Sequence, residues 1–222
     1  MTTRFFAFGK LPSIGDFFRL GAPQGFVRVW DEWLQTSMLD AQARLGDRWD
    51  RLYMSMPIWR FSLAPGLAGG ARVLGVLMPS VDRVGRRFPL TLMAPLQTPG
   101  QADLDHFGAE AVFVRLEDLA LAALEHDMTR EDLDAHLSQV KVPEPVAVSP
   151  PNGHIVPVVA QVGSAGPPDG GQVGHVGPTT TRPSVWSTHV GDVPRFMICD
   201  GLPQGADAQA LFDLDASAWR EV

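Results

Sequence analysis

Apolar and polar positions alternate along this chain on two periods, one helical and one extended. From Phe26 to Leu45 the apolar residues Phe26, Trp30, Trp33, Leu34, Met38, Ala41 and Leu45 recur at spacings of three and four. That spacing puts them on one face of a helix, and Asp31, Glu32, Gln35, Asp40 and Arg44 take the other. The two tryptophans therefore belong to a core rather than to an interaction surface. Gly46 suits the C-terminal cap. Asp47 is placed to cap a short second helix running to Met54, which Pro57 ends.

The extended period dominates elsewhere. Phe5, Phe6 and Phe8 predict a first strand, followed by a turn forced by glycine and proline between Gly9 and Phe17. Residues 58–63 alternate large apolar with polar side chains and read as a strand. The runs 73–78 and 88–96 read as two buried strands, and three strands joined by short connections predict an antiparallel meander. A second helical block starts near Ala102, with Asp103 or Asp105 as cap. Its broad apolar face draws on Leu104, Phe107, Ala111, Phe113, Val114, Leu116, Leu119, Ala120 and Leu124. Thr129 and Asp132 have the spacing of a capping box that opens a short helix to about Gln139. Two last strands, 185–190 and 194–199, precede a turn and a closing helix from Ala206 to Leu214.

Composition changes the picture in one region. Nine prolines and seven glycines fall within residues 141–183, with no large aromatic, which predicts a long loop rather than packed structure. The 222 residues otherwise read as a single domain. A net charge of −7 argues against a sequence-independent nucleic-acid binder and against a polybasic membrane-surface protein. No apolar run approaches the roughly 18–20 residues of a membrane span, so no membrane insertion is expected. The N-terminal apolar stretch is too short for a signal peptide. A single cysteine, Cys199, excludes an internal disulfide framework and a cysteine-based zinc cluster. A reducing, cytoplasmic setting is the simplest expectation.

The charged stretch is the loop between the two buried runs, Pro79-Ser80-Val81-Asp82-Arg83-Val84-Gly85-Arg86-Arg87. Arginines on such a loop can grip a carboxylate or phosphate in bidentate fashion, with Lys10 and Asp16 from the first turn as further candidates. The bland alternative is that Asp82 pairs with an arginine and orders its own loop. Catalytic chemistry finds no footing. Gly9-Lys10 lacks the upstream glycine and the following Ser or Thr of a phosphate loop, since Arg4 and Leu11 stand there. The six histidines show no metalloprotease spacing, and those in the acidic helices, His106, His126 and His136, read as solvated. Ser80 is in no nucleophile elbow. Cys199 follows an apolar strand beside Asp200 and reads as an inert buried thiol. No catalytic residue, metal site or cofactor is expected, and the chain reads as a non-enzyme.

Several of these runs together resemble the TagF (ImpM) family, accessory proteins of bacterial type VI secretion systems. They are Gly9-Lys10-Leu11-Pro12, Gly15-Asp16-Phe17, Trp30-Asp31 with Trp33-Leu34, residues 57–61, and residues 75–86 with Phe88-Pro89-Leu90-Thr91. The likeness resumes at Ser184-Val185-Trp186 and at residues 199–203. Ser187 departs from it, at a position where the family often has a second tryptophan. The resemblance implies a three-layer αβα sandwich with a mixed, partly antiparallel sheet. It implies a cytoplasmic, post-translational negative regulator of the secretion apparatus, acting by binding its forkhead-associated (FHA) scaffold protein. Some relatives are fused to a phosphatase domain, which this chain is expected to be too short to contain. On this reading Asp82, Arg83, Arg86, Arg87, Lys10 and Asp16 are partner-binding candidates. The alternative is a phosphate-ligand-binding or hydrolytic domain in which the same side chains converge on a small molecule.

Overall fold

The computed structural model describes residues 4–97, 101–125, 127–143, 181–191 and 193–219. Most of the expected long loop, residues 144–180, lies outside them, as do His126, His154 and His175.

Among the described residues seven strands form one sheet: β1 (Phe6–Gly9), β2 (Phe18–Leu20), β3 (Trp59–Leu63), β4 (Arg72–Met78), β5 (Leu90–Leu96), β6 (Pro183–Val190) and β7 (Val193–Asp200). Their spatial order is β2-β1-β5-β4-β3-β6-β7, and every neighbouring pair is antiparallel. The expected meander is therefore the centre of the sheet, β3-β4-β5. The antiparallel part of the expected mixed sheet extends to every strand pair. The three-residue β2 is too short to leave a periodic trace in the sequence.

Helices cover both faces, giving the three layers. Helices α1 (Gln24–Leu45), α2 (Trp49–Met54) and α6 (Ala206–Phe212) lie on one side. Helices α3 (Ala102–Gly108), α4 (Glu110–Ala122) and α5 (Arg130–Gln139) lie on the other. Because successive side chains of a strand point to opposite faces, each strand feeds both layers. Trp59, Phe61 and Leu63 of β3 enter the first core, while Arg60 and Ser62 turn to the second helix layer. Val73 and Leu77 of β4 point one way, and Leu74, Val76 and Met78 the other.

The first core is aromatic. Trp30 packs on Trp33, Phe61 and Trp186, and Trp59 stacks on Trp219 at 5.5 Å. Buried indoles keep their N–H groups paired. Trp30 donates to Thr91 Oγ1, Trp33 to the Pro203 carbonyl and Trp59 to the Leu211 carbonyl, at 2.7–2.9 Å. The helical periodicity of α1 is thus a core-packing pattern, as expected.

Two capping expectations fail. Asp47 does not cap the second helix, because the chain passes through a 3-10 turn at Gly46–Arg48 straight into α2. Neither Asp103 nor Asp105 caps α3, whose cap residue Gln101 makes no side-chain bond. Asp105 is instead drawn inward to the buried Arg72 of β4, whose charge needs a partner. The Thr129–Asp132 capping box is present in full.

Candidate interaction site

The loop from Pro79 to Pro89 joins β4 to β5 at one end of the sheet, and the β1 register sets what lies beside it. Phe8 pairs with Thr91, so the turn after β1 leaves the sheet next to the start of β5. Gly9, at φ 138, lies against the backbone of Pro89 and Leu90, an approach that a Cβ would block. Lys10 is thereby carried into the base of the loop.

Asp82 is the hub. Its carboxylate is buried and accepts four bonds, two to each oxygen. The backbone N–H groups of Val84 and Arg86 reach Oδ1 at 3.1 and 2.9 Å. Arg86 Nε and Lys10 Nζ reach Oδ2 at 2.6 and 3.0 Å. Burial pushes this carboxyl up, but the Arg86 backbone N–H, Lys10, the Arg86 guanidinium and the Val84 N–H together outweigh it. They hold the group well below the usual carboxylate range. Asp82 therefore stays ionised and orders its own loop.

The stitching continues outward. Arg86 also donates to the Gly15 carbonyl at 2.6 Å, and the Arg83 backbone N–H to the Ile14 carbonyl at 3.0 Å. Ser80 donates to the Lys10 carbonyl at 2.8 Å and is gripped through its backbone by the Tyr53 hydroxyl. Burial pushes that phenol above its ordinary range. Gly85, at φ 82, makes the turn and has open space around it.

The six candidates thus divide. Lys10, Asp82 and Arg86 converge on one another. Asp16 is exposed and bonds the backbone of its own turn, through Phe17 N–H at 2.8 Å. Arg87 turns away to Asp50 at 3.0 Å. Arg83 is exposed beside Gly15. What faces solvent at the crest is Arg83, the outer part of Arg86, Val84 and Phe17, the last two 70% and 47% exposed. Composition could not single out Val84 and Phe17, because apolar residues are ordinarily core. Tyr53 also escaped the sequence reading, since nothing local links a helix-terminal tyrosine to a serine 27 residues on.

A second polar assembly lies under α3 and α4, where the sequence pattern pointed to solvent. Arg60, buried in β3, holds Glu117 at 2.7 and 2.8 Å and Glu110 at 2.7 Å. His106, expected on a solvated face, is buried, because α3 lays it over β3 and β6. Its Nδ1 bonds Ser62 Oγ at 3.1 Å and its Nε2 bonds Ser187 Oγ at 2.7 Å. Ser187, the departure from the family pattern, thus serves as a hydrogen-bond partner for the imidazole. Burial, and then the positive charge of Arg60, push the His106 pKa down to about 3. Cys199 is buried as expected, and burial followed by Asp207 pushes its thiol up to about 12. Among the described residues no group of His, Cys, Asp and Glu is placed to hold a metal ion, and no helix is long and apolar enough to cross a membrane.

The three-layer domain thus carries, at one end of its sheet, a loop ordered by the buried Asp82 with Arg83 and Val84 exposed at its crest. Residues 7–140 match the model of the TagF N-terminal domain, type VI secretion system-associated, and the chain belongs to that family. It is also similar to the crystal structure of PA0076 from Pseudomonas aeruginosa PAO1, at a TM-score of 0.73 and 30% identity over 96% of each chain. No curated protein matches it.

Proposed function

We propose that this type VI secretion-associated protein is a cytoplasmic, post-translational repressor of its apparatus that acts by binding the FHA-domain scaffold. The crest of the 79–87 loop is taken as part of the contact. The observation that carries this reading is the division of labour within the loop. Lys10, Asp82 and the inner part of Arg86 are consumed in shaping it, while Arg83 and Val84 are exposed, and Phe17 of the neighbouring turn is half exposed with its ring packed on Phe88. A preorganised crest that mixes apolar and arginine side chains suits protein recognition, because little ordering entropy is lost on binding.

The hydrolytic or phosphate-binding alternative has less support. All four of the Asp82 acceptor contacts are already made by its own loop and Lys10, and Asp16 stands apart.

Replacing Arg83 and Val84 together by Glu leaves the buried hub intact. Co-purification with the FHA protein of the same secretion system should then fall sharply, with the melting temperature unchanged. Undiminished binding by that folded variant removes the loop from the interface.

A further inference from the structure

We propose that the outer face of α4 is a second docking surface, for a positively charged amphipathic helix of a protein partner. The sequence pattern credits this helix block with more apolar residues than one buried face can hold, and the structure places the surplus in solvent. Phe113, Leu116, Leu119 and Ala120 point into the second core. Phe107, Val114 and Leu121 do not, and are 53%, 44% and 53% exposed. Val114 and Leu121 stand seven residues apart, nearly two helical turns, and so share one line along the outside of α4, while Phe107 is exposed on α3, before the break at Ala109. Two of the nine exposed large apolar side chains among the described residues thus share one line on α4, and a third, Phe107, lies on the helix before it. On α3, Phe107 stacks on the half-buried Phe196 of the edge strand β7 at 5.3 Å.

The strip is held rigid from beneath. Arg60 pairs with Glu110 at the start of α4 and with Glu117 two turns on, so rolling the helix on the sheet would break both ion pairs. Two apolar side chains held seven residues apart are complementary to another helix with apolar residues at the same spacing.

Charge selects the occupant. Glu110, Glu117 and Asp118 lie three or four residues from Val114 or Leu121 on α4 and Glu125 just beyond its end, against Arg115 and the buried Arg60, which pairs with Glu110 and Glu117. Four carboxylates against two guanidinium groups leave the face acidic. A second copy of this chain would set acidic flank against acidic flank. Anionic lipid would be repelled in the same way. Residues 144–180 of this chain contain no lysine or arginine, so they supply no charge to match. A helix with leucine-like residues at the seven-residue repeat and lysine or arginine beside them matches both the strip and its rim.

The test uses the full chain and three fluorescein-labelled synthetic peptides of equal length. One is a helix with leucine at heptad a and d and lysine elsewhere on the contact face. The second has glutamate in place of lysine, and the third is a scramble of the first. Anisotropy should show the lysine helix binding about tenfold or more tighter than either control. Val114→Ser with Leu121→Ser should remove that preference, and methyl shift changes should map to Val114 and Leu121. Equal binding of the scramble, or shifts mapping elsewhere, overturns the proposal. So does a fall in the melting temperature of the free double variant, which would mean that the strip is already covered within the chain. A dimer in sedimentation that the double variant abolishes overturns it in favour of self-association. The loop substitutions at Arg83 and Val84 lie in a different element and should leave peptide binding unchanged, so the two readings fail separately.

Discussion

Acidification should loosen this protein through His106 more than through any surface group. The imidazole is buried between Ser62 and Ser187, close to Arg60, and its pKa falls from 6.5 to about 3. A base depressed in this way stays neutral in the folded chain while the unfolded chain takes up the proton. The stability it preserves is complete above pH 6.5 and is lost as pH falls toward 3. At pH 5 the unfolded imidazole is about thirtyfold more protonated than neutral, while the folded one remains neutral, a difference of about 2 kcal/mol. Urea unfolding at pH 7.5 and 5.0 measures it, with His106→Gln as the non-titrating reference. Carboxylates titrate in both proteins and cancel in the difference. The native chain should lose about 2 kcal/mol more than the variant. Equal losses would refute the reasoning. If the variant does not fold, the imidazole signals of the native chain give a second reading, and a His106 titration near 6.5 would refute it equally.

Two other predictions concern the backbone and the thiol. Gly75 in β4 lies where an added Cβ would overlap the Leu92 carbonyl and sit 2.8 Å from Met93 Cβ, whereas Gly85 is strained by φ alone with open space around it. Gly75→Ala should therefore cost about 1–3 kcal/mol of overpacking in thermal or denaturant unfolding. Gly85→Ala should cost about 1–2 kcal/mol, and Gly85→Asn less, since asparagine tolerates that backbone region. A smaller cost at Gly75 than at Gly85 would contradict the close approach. Cys199, with its thiol pushed up to about 12, should react with a maleimide at pH 7.5 only as fast as the chain unfolds. Labelling within seconds in native buffer would show the thiol to be open.

Much of the fold was legible because it is written in short-range periods. The α1 stripe, the three-strand meander and the Thr129–Asp132 box each depend on residues a few positions apart. What was not legible depends on partners far along the chain. Lys10 meets Asp82 only because β1 pairs with β5, and no local pattern states that pairing. His106 looked solvated beside its acidic neighbours. It is buried because β3 and β6 turn Ser62 and Ser187 toward α3. Asp105 looked like a cap and serves Arg72 instead. At the loop, the charged residues were visible in the sequence, but which of them spend their charge internally was set by tertiary geometry. Phe107 and Val114 were assigned to the core because periodicity counts apolar residues and cannot tell when a helix carries more than one face can bury.

The sheet separates the aromatic side chains by kind, and this has an optical consequence. All six tryptophans lie in the core beneath α1, α2 and α6, and none is in the core under α3, α4 and α5. Intrinsic emission therefore watches one side of the molecule only. Partial release of the α3–α5 layer would leave that emission unchanged while far-ultraviolet circular dichroism changed. A mismatch between the two signals during unfolding would identify which face of the sheet lets go first.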